Sequence, residues 1–251
     1  YILSNFSYEI GSDNIAIIKW DVPDKKFNVL TLEGISEIEN ILEKIFENNN
    51  LKGVIISSNK DDFSAGMDLK VLAHLQDQSK NKEEIFQFVM RAHQFLRKIE
   101  LGGIDPKTKK GGIPFVWACN GLSAGIATEI GLACHYRIAT DKKITKIGLP
   151  EILVGLFPGA GGATRVSRML GLMSSAPILM EGRMFSAQKA KAIGLIDKVS
   201  NPLDLINEAK NWILNVKKED IIKPWDKKGF KIPGGAPVKS AINPFEKSGF
   251  I

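Results

Sequence analysis

Residues 121–134 constrain the fold of this chain most strongly, because they read GLSAGIATEIGLAC and contain a single charged side chain, Glu129. A helix that is apolar on every face is stable only when other elements cover it on all sides. The chain must therefore place packing partners all around this segment. A carboxylate inside such a helix destabilises the fold unless it is paired, protonated or used in chemistry.

Two interpretations of Glu129 are open from the residues alone. It is either the structural ion-pair partner of a cation such as Arg137 or a lysine, or a functional acid, since buried carboxylates with shifted pKa values cluster at functional sites. Glu151 follows Gly148-Leu149-Pro150 and by itself is more typical of a solvated strand end. Together the two carboxylates supply what acid/base chemistry requires, one group to take a proton and another to give one.

The composition indicates an ordinary globular protein. The chain has 251 residues, of which 44% are hydrophobic and 25% charged, which suits one large domain or one domain with an appendage. These values argue against a disordered, collagen-like or disulfide-rich chain. No run approaches the roughly 18–20 apolar residues of a membrane helix, and the first residues lack the pattern of a secretory signal. Cys119 and Cys134 suit reduced, buried thiols, so we expect a cytoplasmic protein.

The net charge of +6 comes mainly from lysines. A lysine excess without interleaved aromatic residues fits a solvated face, or a small ligand that carries phosphate, better than sequence-specific reading of nucleic acid, which favours arginine. We therefore expect no nucleic-acid partner, although RNA binding stays open as an alternative.

The hydrophobic spacing predicts short strands that alternate with helices, which is an α/β fold. The predicted strands are Phe6–Ile10, Ile15–Trp20, 54–56, 114–119 and Tyr136–Thr140. The predicted helices lie at about 32–45 with Thr31 as N-cap, 83–99, the later part of 120–134, 163–170, 172–180, 186–193 and 202–216. We place the domain boundary near residue 200, with a core at 1–200. The part at 201–251 then holds a final helix and, from residue 225, a tail rich in Gly, Pro and Lys.

Two glycine-containing turns, 64–68 and 123–127, lead into predicted helices, where unpaired N–H groups point outward. Two such groups that converge on one carbonyl would form an oxyanion hole, although either turn alone is more typical of an ordinary loop. A third turn, 158–162, is a weak candidate for phosphate binding. The chain contains no phosphate loop, dinucleotide fingerprint, paired-cysteine zinc site, HExxH or GxSxG motif, so we expect no metal.

Four blocks, in this order and spacing, resemble the crotonase (enoyl-CoA hydratase/isomerase) superfamily. They read FSAGMDLK at 63–70, NGLSAG at 120–125 running on to Glu129, GLPE at 148–151 and PGAGG at 158–162. The likeness covers about residues 6–200, and the pattern is specific only when the four blocks are taken together.

The resemblance implies a crotonase-like spiral of ββα units with a C-terminal helical region, and an acyl-CoA thioester as the substrate. It places the catalytic carboxylates at Glu129 and Glu151, and the oxyanion hole at the N–H groups of Met67 and Ile126. It also implies contacts of the protein with CoA, at the phosphates and near the adenine. These contacts come from Lys25 and Lys26 and from the turn with Ala65, Gly66, Asp68 and Leu69. Because CoA is part of the substrate, no separate cofactor is expected.

Members with both carboxylates are typically hydratases, so the resemblance implies syn addition of water across trans-2-enoyl-CoA in fatty-acid β-oxidation. The first alternative is an isomerase of the same fold that moves the double bond from position 3 to 2 with one carboxylate. The second is a non-catalytic homologue that binds acyl-CoA or RNA. The resemblance also implies a homo-oligomer, a trimer or hexamer. Residues 225–235 resemble the segment after the hydratase domain of multifunctional fatty-acid oxidation enzymes, in which a dehydrogenase domain follows.

The chain departs from the family pattern at both oxyanion donors. The family's glycine run reads Gly125-Ile126-Ala127 here, so one donor keeps its N–H but carries a β-branched side chain that narrows the cavity. Met67 stands where alanine is common. We expect these changes to affect acyl-chain size and catalytic efficiency more than reaction type.

Overall fold

A six-stranded sheet forms the centre of the protein, in a computed structural model that describes residues 4–77, 82–104 and 112–235. Its order is β1-β2-β3-β4-β6-β9, with β1 antiparallel to β2 and the other neighbours parallel. The strands are β1 (Phe6–Ile10), β2 (Ile15–Trp20), β3 (Gly53–Ser58), β4 (Phe115–Cys119), β6 (Tyr136–Thr140) and β9 (Lys198–Ser200). The predicted strands are confirmed, and the continuous apolar runs of β2, β3 and β4 reflect burial on both faces.

Together with the large sheet, a small second sheet gives the chain repeating strand–strand–helix units. It consists of β5 (Ser123–Ala124), β7 (Ile147–Gly148) and β8 (Met184–Phe185). Thus β4 in the large sheet is followed by β5 in the small one and then by a helix, and β6 is followed in the same way by β7. This arrangement confirms the predicted spiral of ββα units. The strands of the small sheet were not predicted, because two residues are too short to reveal an alternating pattern.

Eight helices cover the sheets within the described residues. They are α1 (Leu32–Glu47), α2 (Leu69–Asp77), α3 (Lys82–Leu101), α4 (Ile126–Ala133), α5 (Gly162–Leu170), α6 (Leu172–Leu179), α7 (Ala187–Ala192) and α8 (Leu205–Asn215). The predicted N-cap of α1 is confirmed, since the Thr31 hydroxyl accepts from the Gly34 N–H at 3.0 Å. None of the helices in 4–77, 82–104 and 112–235 has both the length and the apolar character to cross a membrane.

The core lies on both faces of the large sheet. On one face Trp20, Phe63 and Trp117 meet edge to face in a large cluster that includes residues of α1, α3 and α4. On the other face α8 packs Ala209 and Ile213 against residues of β2, β3, β4 and β6. The predicted domain boundary near residue 200 falls between the large sheet and α8, although α8 packs against that sheet. The boundary stays a prediction.

The stretch from residue 225, predicted as a tail, is attached to the body as far as the structure describes it. Asp226 forms an ion pair with Arg97 at 2.7 Å, and the Arg168 guanidinium lies over the Trp225 ring at 5.8 Å. Residues 236–251 lie outside the described residues, as does most of the predicted loop at 101–112. The composition of this stretch predicted a tail because an ion pair and a cation–ring contact leave no apolar periodicity in the sequence.

Candidate active site

Helix α4 places Glu129 at the centre of the molecule. All eight residues of α4 are buried, which confirms the burial that the sequence predicted, and Glu129 is 2% exposed. The helix packs so closely on β4 that a Cβ on Gly131 would lie 2.7 Å from the Trp117 ring. Gly125 precedes the helix with φ 58 and ψ −127, a backbone conformation open in practice only to glycine.

The Glu129 carboxylate is held by backbone amides. Its Oε1 accepts hydrogen bonds from the N–H groups of Ala160 at 3.0 Å and Gly162 at 2.7 Å. The 158–162 turn, a sequence candidate for phosphate binding, therefore directs two of its amides at the protein's own carboxylate. Arg137, the suggested ion-pair partner of Glu129, instead pairs with Asp197 at 2.8 Å.

The environment of Glu129 makes it titratable near neutral pH. Burial, together with the negative charge of Glu151, raises the pKa of its carboxyl to about 7, against the opposing effect of the two amides and Arg165. A carboxyl with such a pKa has both protonation states available at neutral pH. It can therefore accept a proton in one step and return it in another.

Glu151 approaches the start of α4 from a 3₁₀ turn at Pro150–Val154. Its Oε1 lies 3.2 Å from the position that a Cβ would take on Gly125, so a side chain there would crowd the carboxylate. Its Oε2 is buried and has no hydrogen-bond partner among the described residues. Burial raises the pKa of this carboxyl as well. The fold thus brings both predicted acids to the N-terminal end of α4.

Two backbone loops join at the same place. The Ala124 N–H donates to the Ser64 carbonyl at 3.1 Å, and a Cβ on Gly66 would lie 3.0 Å from the Ala124 carbonyl oxygen. Met67 forms a parallel bridge with Leu30, in which the flanking residues of Met67 make the hydrogen bonds to Leu30. Its own N–H therefore points away from Leu30.

The N–H groups of Met67 and Ile126 have no acceptor within the part of the chain that the structure describes. Ile126 is the first residue of α4, where an N–H has no partner inside the helix. Two unused donors on adjoining loops, beside one buried and one partly buried carboxylate, are the elements of a site that can polarise a carbonyl and move protons next to it.

The predicted CoA contacts lie on two segments, the loop that follows β2 and the turn that leads into α2. Lys25 forms an ion pair with Asp68 at 2.5 Å, which lowers the pKa of the Asp68 carboxyl. Lys26 is exposed and lies over the neighbouring Phe27 ring at 5.2 Å, and Leu69 is 77% exposed. Ala65 is exposed, whereas Gly66 is buried between the loops. The structure brings these residues together, and their role in CoA binding stays a prediction.

Sequence reasoning missed the residue that anchors this loop. The buried Asn28 amide donates to the carbonyls of Trp20 and Phe63 and to the Ser58 hydroxyl, and its oxygen accepts from the Val22 N–H. Both ends of the side-chain amide are engaged, the NH₂ group as donor and the oxygen as acceptor, so Asn28 fixes the loop that carries Lys25 and Lys26. A single asparagine in a polar loop carries no periodic signal that could have revealed this.

The family model for enoyl-CoA hydratase/isomerase matches residues 11–223, well over half of the chain. The chain belongs to this family. A crystal structure of enoyl-CoA hydratase from Bacillus anthracis is 26% identical, with a TM-score of 0.72 over 98% of this chain and 90% of that one. The resemblance and the crotonase-like fold that the sequence predicted are both confirmed.

More distant structures confirm the fold alone. Enoyl-CoA hydratase from Thermoplasma volcanium is 22% identical, with a TM-score of 0.76 over 96% of this chain and 89% of that one. Pseudomonas aeruginosa DspI is 21% identical, with a TM-score of 0.72 over 99% of this chain and 88% of that one. Within the enoyl-CoA hydratase/isomerase family, the reaction of this chain has to be argued from its own site.

Proposed function

We propose that this chain is an enoyl-CoA hydratase that adds water across the double bond of trans-2-enoyl-CoA thioesters. The observation that carries the proposal is the pair of carboxylates, the buried Glu129 and the partly buried Glu151, whose pKa values are both raised beside two unused backbone donors. Hydration needs one group to take a proton from water and another to give a proton to carbon. A pair of acids with raised pKa values suits both tasks near neutral pH.

The thioester carbonyl accepts hydrogen bonds from the N–H groups of Met67 and Ile126. Ionised Glu129 takes a proton from water as the water oxygen bonds to Cβ, and the electron pair of the double bond moves towards the thioester oxygen. The two N–H groups stabilise this enolate, and each such donor contributes roughly 10²–10³ in rate in other enzymes. Protonated Glu151 then gives its proton to Cα. Proton exchange with solvent returns both acids to their starting states.

The CoA part of the substrate supplies binding rather than chemistry. In this proposal Lys25 and Lys26 contact its phosphates, and the turn from Ala65 to Leu69 lies against its adenine. No separate cofactor is needed, because the activating thioester is already part of the substrate. Fatty-acid oxidation in the cytoplasm and assembly into a homo-oligomer belong to the same proposal and are supported by the family resemblance.

A double-bond isomerase is the second candidate function. Isomerisation from 3-enoyl- to 2-enoyl-CoA moves one proton from C2 to C4, which a single carboxylate can do. Glu151 favours this reading, because its Oε2 has no protein partner among the described residues and is free to shuttle a proton. The same two N–H donors would stabilise the dienolate.

Turnover of two matched substrates tests the proposal. The purified chain is given trans-2-enoyl-CoA and trans-3-enoyl-CoA thioesters of equal length, over short, medium and long acyl chains, and the products are separated chromatographically. We expect 3-hydroxyacyl-CoA from the 2-enoyl substrate at every length that binds. Conversion of the 3-enoyl substrate to the 2-enoyl product, with no hydration of either substrate, would show that the chain is an isomerase and not a hydratase.

A further inference from the structure

Arg165 connects two distant parts of the chain through one buried guanidinium. It lies in α5, and its Nε and Nη2 donate to the two carboxylate oxygens of Glu100 on α3, at 3.0 and 3.3 Å. Its Nη1 donates to the carbonyl of Ala160 at 3.2 Å. Arg97 completes the cluster by donating to Glu100 at 2.6 Å. The guanidinium therefore ties the 158–162 turn to α3.

The 158–162 turn, which Arg165 fixes, also binds the Glu129 carboxylate. Ala160 accepts from Arg165 with its carbonyl and donates to the Glu129 carboxylate with its N–H. Gly161 has φ +101, and a Cβ there would lie 2.6 Å from the Arg165 Nη1. The guanidinium thus lies against Gly161, whose left-handed backbone conformation favours glycine, and the shape of the turn and the position of Arg165 depend on each other.

We propose that Arg165 is a positioning residue for Glu129, fixing the 158–162 turn so that the amides of Ala160 and Gly162 both reach the Glu129 carboxylate. Glu100 in turn orients the Arg165 guanidinium. The inference rests on the proposed function only in that it takes Glu129 to be catalytic. An arginine fork suits this task, because its planar donors engage a carboxylate and a carbonyl at once, which a lysine cannot do in the same geometry.

The charge of Arg165 acts on Glu129 in the same direction as the amides. It lowers the pKa of Glu129, in opposition to burial and to the charge of Glu151. The other charged or titratable groups that the described residues place near Arg165 include Glu100, Arg97, His93, Cys134 and Lys223. Loss of the Arg165 charge would therefore raise the pKa of Glu129 above its present value of about 7.

Kinetics of three variants test the proposal. Arg165→Gln removes both fork and charge, Arg165→Lys keeps the charge without the fork, and Arg137→Gln is the control, since Arg137 is an equally buried arginine paired with Asp197. We expect both Arg165 variants to lose about 10- to 100-fold in kcat with little change in KM. The acidic limb of the pH profile moves to higher pH in Arg165→Gln and less in Arg165→Lys. Arg137→Gln is expected to lower stability without moving this limb.

A titration independent of turnover separates this proposal from the proposed function. The Glu129 carboxyl is followed by ¹³C NMR in labelled protein and assigned by its loss in Glu129→Gln. We expect its pKa to rise in Arg165→Gln and to stay in place in Arg137→Gln. If Arg165→Gln does not fold, the double variant Glu100→Gln/Arg165→Gln removes both buried charges and carries the same expectation.

An unchanged Glu129 titration together with unchanged kcat in folded Arg165 variants would overturn the positioning role. Absence of hydration and isomerisation by the unmodified chain would instead overturn the proposed function. In that case the NMR titration still decides whether Arg165 sets the state of Glu129.

Discussion

Glu100 and Glu129 are both carboxylates in the interior of the protein, 3% and 2% exposed, but their surroundings differ in kind. Two guanidiniums, from Arg97 and Arg165, face Glu100 and match its charge. Glu129 instead receives two backbone N–H groups, and a second acid, Glu151, lies close enough to raise its pKa. A cationic partner therefore makes a buried acid structural, whereas backbone amides leave it ready to exchange a proton.

Glu100→Gln should have the largest effect on folding. It leaves the buried Arg165 without its carboxylate, whereas Arg97 keeps Asp226, and breaking a buried pair in this way costs about 3–5 kcal/mol. The free energy of unfolding is measured by urea titration. Glu129→Gln is the matched control, because it removes a buried charge that has no cationic hydrogen-bond partner, and we expect its stability to be equal or higher. Equal losses of unfolding free energy in both variants would mean that Glu100 and Glu129 do not differ in their contribution to folding.

Gly162→Ala should have the next largest effect, on activity. A Cβ at this position would lie 2.9 Å from both Cγ and Oε1 of Glu129, so the carboxylate has to move. We expect kcat to fall about 100-fold, since small displacements of a catalytic group have costs of this size. Gly159→Ala in the same turn is the control, because its nearest atom would be the Phe157 carbonyl oxygen at 3.7 Å. Equal rates in the two variants would mean that the amide contacts do not set the position of Glu129.

The pH dependence of stability should carry a smaller signature of Glu129. Its pKa is raised from 4.5 to about 7 in the folded protein, so the folded state binds more protons than the unfolded state between these values. This contribution is full below pH 4.5 and is lost as the pH rises to about 7. The wild-type protein should therefore lose stability relative to Glu129→Gln across this window, measured by urea unfolding at several pH values. Parallel curves for the two proteins would contradict the raised pKa.

Lys25→Ala should have the smallest effect on stability. The lysine side chain of the Lys25–Asp68 pair is 41% exposed, so solvent screens the pair, and the buried Asp68 keeps the Lys70 N–H as a donor; pairs screened in this way contribute about 0–1 kcal/mol. We expect KM for acyl-CoA to rise severalfold with kcat unchanged, and the difference to shrink at high salt. A substrate that ends in pantetheine, without the nucleotide phosphates, should show no such rise. A fall in kcat with KM unchanged would show that Lys25 does not contribute to CoA binding.

Much of the fold and of the candidate site was predictable, because the signals are local. Apolar runs marked the strands, and one charge in an apolar segment marked Glu129. The contacts that distinguish Glu129 from Glu100 were not predictable, since Arg165 and Glu100 are 65 residues apart and neither stands out in its own helix. The sequence made the 158–162 turn only a weak candidate for phosphate binding, and the folded chain shows that two of its amides bind the Glu129 carboxylate instead.

The hydration rate of trans-2-butenoyl-CoA by the wild-type chain, Glu129→Gln and Glu151→Gln tests the central claim most directly. Both substitutions keep side-chain shape and remove the ability to carry the transferred proton. We expect hydration by the wild type and a loss of about 10²-fold or more in each variant. Hydration by either variant at nearly the wild-type rate would contradict the assignment of that carboxylate.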